Sequence, residues 1–175
     1  MKLKKSLFFV GFLGIIYSFY QTDYLNWNEN QKLKFENFKA KAPGKLSKTT
    51  GEIYTEISWI KSQKANQAPT FTIINRMDQS KSWINRKDQD LLNQKQLQFD
   101  ISELYARKIR KDIKNLNSKK IVDDKSYTNA INLQYKVMNQ EQRRYQNMLA
   151  EQPNLLKIIN TKYQDSLKLY KDFIN

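Results

Sequence analysis

The chain of 175 residues contains no cysteine and no histidine. Disulfide frameworks, thiol nucleophiles, zinc sites of the usual kind and imidazole acid–base chemistry are therefore excluded by inventory. Glycine is nearly as scarce: Gly11, Gly14, Gly44 and Gly51 are the full set, and none follows residue 51. A stretch without glycine cannot hold a phosphate-cradling Gly-rich loop or a dinucleotide fingerprint, and it disfavours tight hairpin turns, which need residues at positive φ. Only Pro43, Pro69 and Pro153 interrupt the chain, so sheets are not expected and helices are.

What is present is positive charge. Lysine and arginine total 31 against 17 acidic residues, a formal charge of +14, and removing Lys2, Lys4 and Lys5 still leaves 28 against 17. Such an excess favours anionic company, whether lipid headgroups, a charged polymer or an acidic protein surface, and says nothing about fold. The length suits one core once the leading segment is set aside.

That leading segment, from Ser6 to Thr22, carries no charge and follows three lysines. As a helix it would span roughly 26 Å, close to a bilayer core, with Tyr24, Leu25 and Trp27 placed for an aromatic belt. No pair of small residues offers a cleavage site, and no cysteine offers a lipoprotein site, so a retained anchor is expected over a cleaved signal. The lysines near the amino terminus favour an N-terminus inside the cell.

In the body, Thr49 and Glu52 have capping-box spacing, with Ile53, Ile57 and Ile60 following on one helical face towards Asn66. The segment TFTII (70–74) alternates like a strand but has no evident partner, so it is expected to be an extended linker. Asp78 is the expected N-cap of a long helix to Asn117, whose seam (Met77, Ile84, Leu91, Tyr105, Ile109, Ile113, Leu116) turns polar at Lys95, Gln98 and Ser102. Asp123 or Asp124 caps the next helix, with Ile131, Tyr135, Met138, Gln142, Tyr145 and Leu149 in bundle rhythm. Pro153 opens a last helix with Leu156, Ile159, Tyr163, Leu167, Tyr170 and Ile174 in its seam. The expected fold is thus all-α: an N-terminal transmembrane helix (1–24), a juxtamembrane helical region (25–70), and an elongated antiparallel helical bundle or coiled-coil-like domain (71–175).

Two surfaces stand out. Arg107, Lys108, Arg110, Lys111 and Lys114, continued by Lys119 and Lys120, project on a helical wheel away from Tyr105, Ile109 and Ile113, an arrangement that suits an anion or an acidic partner. The seam residues Ile131, Tyr135, Met138, Tyr145, Leu149, Leu156, Ile159, Tyr163 and Tyr170 suit a core that is thin and therefore open to self-association or a partner. Glu52 and Glu56 share a helical face but lack the burial that catalytic carboxylates require. No enzyme activity and no cofactor are expected, and no motif supports sequence-specific nucleic-acid recognition. The expected function is a structural or protein-interaction component of the cell envelope, single-pass in the cytoplasmic (inner) membrane with its body outside. The alternatives are a basic binder of anionic polymer or lipid, or a lysis accessory, since the layout of a short anchor and a basic helical body resembles the inner-membrane partner of phage spanin pairs.

Overall fold

A computed structural model describes residues 23–44 and 50–174. Three strands, β1 (Tyr24–Asn26), β2 (Gly51–Ser62) and β3 (Thr70–Ile84), form an antiparallel sheet in the order β1-β3-β2. The β2 sequence EIYTEISWI is rich in β-branched and aromatic side chains, which pack well on a pleated surface. Its partner is the alternating segment that begins at Thr70, in a register that sets Glu56 opposite Arg76 and Ile60 opposite Thr72. The turn between them needs no glycine because Asn66 takes the left-handed conformation, at φ 58°. Gly51 sits where the strands close together: a Cβ there would lie 2.8 Å from Ile84 Cγ1 and 3.1 Å from the Trp83 carbonyl oxygen.

These strands correct the all-α expectation. The predicted helix over Ile53, Ile57 and Ile60 is a strand, the extended TFTII is half of a hairpin, and Asp78 lies inside β3 rather than at a helix start. The 25–70 stretch carries β1, β2 and a single turn of 3-10 helix, Phe35–Asn37. Among the described residues no helix is long and apolar enough to cross a membrane. The transmembrane, signal-anchor and single-pass inner-membrane expectations, and with them the spanin-like layout, are set aside on that finding; the apolar run on which they rested lies outside the described residues.

Three helices follow: α1 (Gln89–Ser118), α2 (Asp124–Glu151) and α3 (Leu156–Leu169). Asp88 caps α1 by accepting from the amides of Asp90 and Leu91, and Asp123 caps α2 by accepting from Ser126 N. Pro153 opens the 3-10 turn that leads into α3, where its missing N–H is harmless. At the far end of α1, Lys120 stands at φ 55°, Ile121 N donates to Leu116 O and Lys120 N to Asn117 O. This is a Schellman closure with lysine in the position usually given to glycine.

The helix α1 is unbroken and contacts β2 and β3 as well as α2 and α3. It lies between the sheet and the other two helices, and residues 99–107 are buried without interruption. Over these turns the helix has no solvent face for its polar residues, so those residues must find partners inside. The polar break expected in its seam is this enclosure: Lys95 and Ser102 are buried, and Ser102 Oγ bonds Asn75 Oδ1 at 2.9 Å.

Candidate functional site

The enclosed turns of α1 carry a chain of buried charge. Asp100, 1% exposed, accepts from Trp27 Nε1 (2.8 Å), Gln96 Nε2 (2.8 Å) and Gln164 Nε2 (2.7 Å), with Lys32 Nζ at 4.0 Å. One carboxylate thus ties the segment after β1 to α1 and α3. Burial pushes the Asp100 carboxyl above the usual carboxylate range, opposed by the Trp27 indole, Lys32 and the two amides. One turn on, Glu103 Oε1 accepts from Arg107 Nε at 3.1 Å and Arg110 Nη1 at 3.0 Å. Arg107 Nη1 continues to the Leu167 carbonyl (2.7 Å), and Arg110 to the carbonyls of Ile73 (2.8 Å) and Phe173 (3.0 Å).

The basic cluster is therefore divided by the fold. Arg107 is wholly buried and Arg110 half-buried, both turned inward because the sheet and α3 close over that face of α1. The helical-wheel expectation that all five cations point outward is corrected for these two. Lys108 is half-buried, and Lys111 and Lys114 are exposed. Each lies over an aromatic ring: Lys108 Nζ 4.1 Å from the Tyr105 centroid, Lys111 Nζ 5.1 Å from Tyr170, and Lys114 Nζ 5.6 Å from Phe173. Two of those rings come from the end of α3 and the turn Lys171–Phe173, so tertiary packing supplies the aromatic interleaving that the linear sequence lacks. Of the nearby acids, Asp112 accepts a 2.7 Å bond from Gln134 Nε2. The result is a ridge of cations seated on aromatic rings, half-buried at Lys108 and exposed at Lys111 and Lys114.

The seam residues lie in the core. Ile131, Met138, Tyr145, Leu149, Leu156, Ile159 and Tyr163 belong to the main buried cluster, and Tyr135 and Tyr170 pack against it. Tyr105, Tyr145 and Tyr163 gather around Glu141, which accepts from Tyr105 at 2.5 Å. The Tyr145 and Tyr163 rings meet edge to face at 5.4 Å. The buried Tyr163 hydroxyl lies beside Glu141 and Tyr145 without a well-formed hydrogen bond to either. At the rim, Lys162 Nζ reaches Tyr145 Oη at 3.1 Å.

Glu52 and Glu56 lie on β2, both exposed, and Glu56 pairs with Arg76 at 3.1 Å. They form no carboxylate pair for acid–base work. Sequence reasoning missed Asp100, Glu103 and Trp27. The available signal was the Glu103–Arg107 spacing of four residues inside an otherwise apolar stretch, a common surface pattern that becomes a buried one only when the helix is covered on both sides. Among the described residues, no cluster of acidic side chains is arranged to hold a metal ion. No protein-family model, no curated protein and no solved structure matches this chain.

Proposed function

We propose that this chain is a non-catalytic binding protein whose working surface is the ridge of Lys108, Lys111 and Lys114, and whose partner is an anionic polymer. The observation that carries this reading is the seating of all three ammonium groups over Tyr105, Tyr170 and Phe173. Rings beneath the lysines hold the cations in a row, an arrangement suited to a repeating negative charge. The basic balance of the whole chain, +14, draws such a partner in from a distance. The absence of histidine and cysteine is consistent with binding rather than turnover.

The test is a salt titration of binding to polyphosphate and to a single-stranded oligonucleotide of matched charge. Both bind with similar affinity, and affinity falls steeply as salt rises, because counterion release dominates. Lys111→Glu/Lys114→Glu lowers the salt slope by about two, one for each phosphate that the variant no longer neutralises. Unchanged binding by that variant refutes the ridge.

A second reading rests on the sheet face turned away from α1, where Tyr54 and Ile60 of β2 are 43% and 67% exposed. Exposed apolar groups on a strand suit a protein partner. Association of that kind is insensitive to salt, which separates the two readings.

A further inference from the structure

We propose that the cleft between the start of β2 and the facing turns of α1 and α2 binds a small oxyanion, a carboxylate or phosphate group on a metabolite-sized ligand, with Lys95 as its counter-charge. The cleft has a volume of about 670 Å³, within the usual range for small-molecule sites. Lys95 lines it and is 8% exposed.

Lys95 stands apart from the other buried charged and polar side chains, and the buried Tyr163 hydroxyl shares its lack of a hydrogen bond. Asn75, Asp78, Ser82, Asp100, Ser102, Glu103 and Arg107 are all buried, and each makes at least one hydrogen bond. Among the described residues, Lys95 Nζ has neither a hydrogen bond nor an ion pair. Its stem is buried, yet Nζ is not among the side-chain atoms sealed from solvent without a partner, which among the described residues are Arg76 Nε, Arg107 Nη2 and Tyr163 Oη; the ammonium therefore opens into the cleft, where an anion can meet it. Burial pushes the Lys95 ammonium below its usual range, and Glu52, an exposed carboxylate on the cleft wall, pulls the other way without reaching it.

The rest of the lining fits a polar anion. Arg86 stands at the wall already paired with Asp88 at 3.0 Å, so its charge is partly met and Lys95 is the unmet one. Gln94 and Gln146 line the cleft, and Gln142 Nε2 donates to the Gln98 carbonyl at 3.2 Å, which leaves the Gln142 carbonyl oxygen to accept. Amides of this kind bond hydroxyl or carbonyl groups on the body of a ligand whose acid group meets Lys95. The site is on the opposite half of α1 from the ridge residues Lys108 to Lys114 and does not depend on the ridge.

The test is calorimetric titration of the full chain with inorganic phosphate and, separately, with malonate. Saturable one-to-one binding of at least one probe is expected. Lys95→Met weakens it about tenfold or more, the scale of one charge-assisted hydrogen bond, while Lys111→Glu/Lys114→Glu leaves it unchanged. Phosphate binding alone identifies a phosphate ester as the ligand class, malonate alone an organic acid, and both an oxyanion recognised by charge. Without a probe, Lys95→Met unfolds no earlier than the parent, because no protein partner is removed; Lys95→Gln provides a second uncharged variant for the titration. Absence of saturable binding, binding retained by both Lys95 variants, or binding abolished in the ridge variant instead would overturn the proposal.

Discussion

Arg107 Nε donates to Glu103 Oε1 across one turn of α1 at 3.1 Å, with both side chains sealed from solvent. The same oxygen receives Arg110 Nη1, and the two guanidinium groups go on to carbonyls of β3, α3 and the C-terminal turn. A single carboxylate therefore balances two cations, and the cations staple the sheet to the last helix. Arg107 Nη2 has no hydrogen-bond partner, so the network is satisfied around Glu103 and incomplete at its edge.

Removing the carboxylate is more damaging than removing either cation, because it leaves the buried Arg107 and the half-buried Arg110 facing each other with no counter-charge between them. Glu103→Gln is expected to cost about 3–5 kcal/mol, the range for breaking a buried ion pair by deleting one partner. Arg107→Met costs less, since Glu103 keeps Arg110 and the methionine fills much of the volume. Urea denaturation with an unchanged m-value checks both. A loss smaller for Glu103→Gln than for Arg107→Met would show that the carboxylate does not organise the cluster.

The helices α2 and α3 are legible in the sequence because each buries one stripe and leaves the other faces wet; Ile131, Met138 and Tyr145 therefore repeat at helical spacing and sit in the core. The strand β2 is not legible, for two reasons. Ile53, Ile57 and Ile60 fall by coincidence at helical intervals, which masks the β-branched and aromatic content between them. Glycine's absence argues against a hairpin, but Asn66 tolerates the left-handed conformation that the turn requires. The site fares similarly: a helical wheel assumes one buried face, and α1 has two, so the wheel puts Arg107 and Arg110 on the wrong side. Trp27 and Asp100 are 73 residues apart, and nothing in local pattern joins them.

Tyr135 protects the sheet edge. The Asn75 carbonyl accepts from Trp27 N on the β1 side, so its cross-strand neighbour Ile57 points its own backbone groups outward from β2. The Tyr135 hydroxyl bonds that outward carbonyl, and its ring meets Trp59 edge to face at 6.4 Å. Burial pushes the hydroxyl up to about 12, so it remains a donor throughout the physiological range. Tyr135→Phe is expected to lose about 1 kcal/mol, the net worth of one hydrogen bond. It also exposes an edge carbonyl beside the apolar Trp59 and Ile60, which favours strand-to-strand association. Sedimentation velocity over a concentration series should detect self-association in the variant that the parent lacks; identical profiles would assign edge protection to other groups.

Asp100 makes stability depend on pH in the direction opposite to a surface ion pair. Its folded-state pKa is raised above the unfolded value, chiefly by burial, despite the Trp27 indole, Lys32 and the Gln96 and Gln164 amides around it. A carboxyl of that kind contributes stability that is fully present below the unfolded pKa, about 3.9, and lost as pH rises through the folded value. Asp100→Asn removes this dependence while preserving an acceptor for Trp27 and Gln96, and Gln164 can turn its amide to face the new donor. The variant is therefore expected to gain on the parent as pH increases from about 4 towards 7, read as the difference between their urea midpoints. A difference that shrinks or reverses towards neutral pH would mean that the three N–H donors outweigh burial and hold Asp100 ionised as a structural anion.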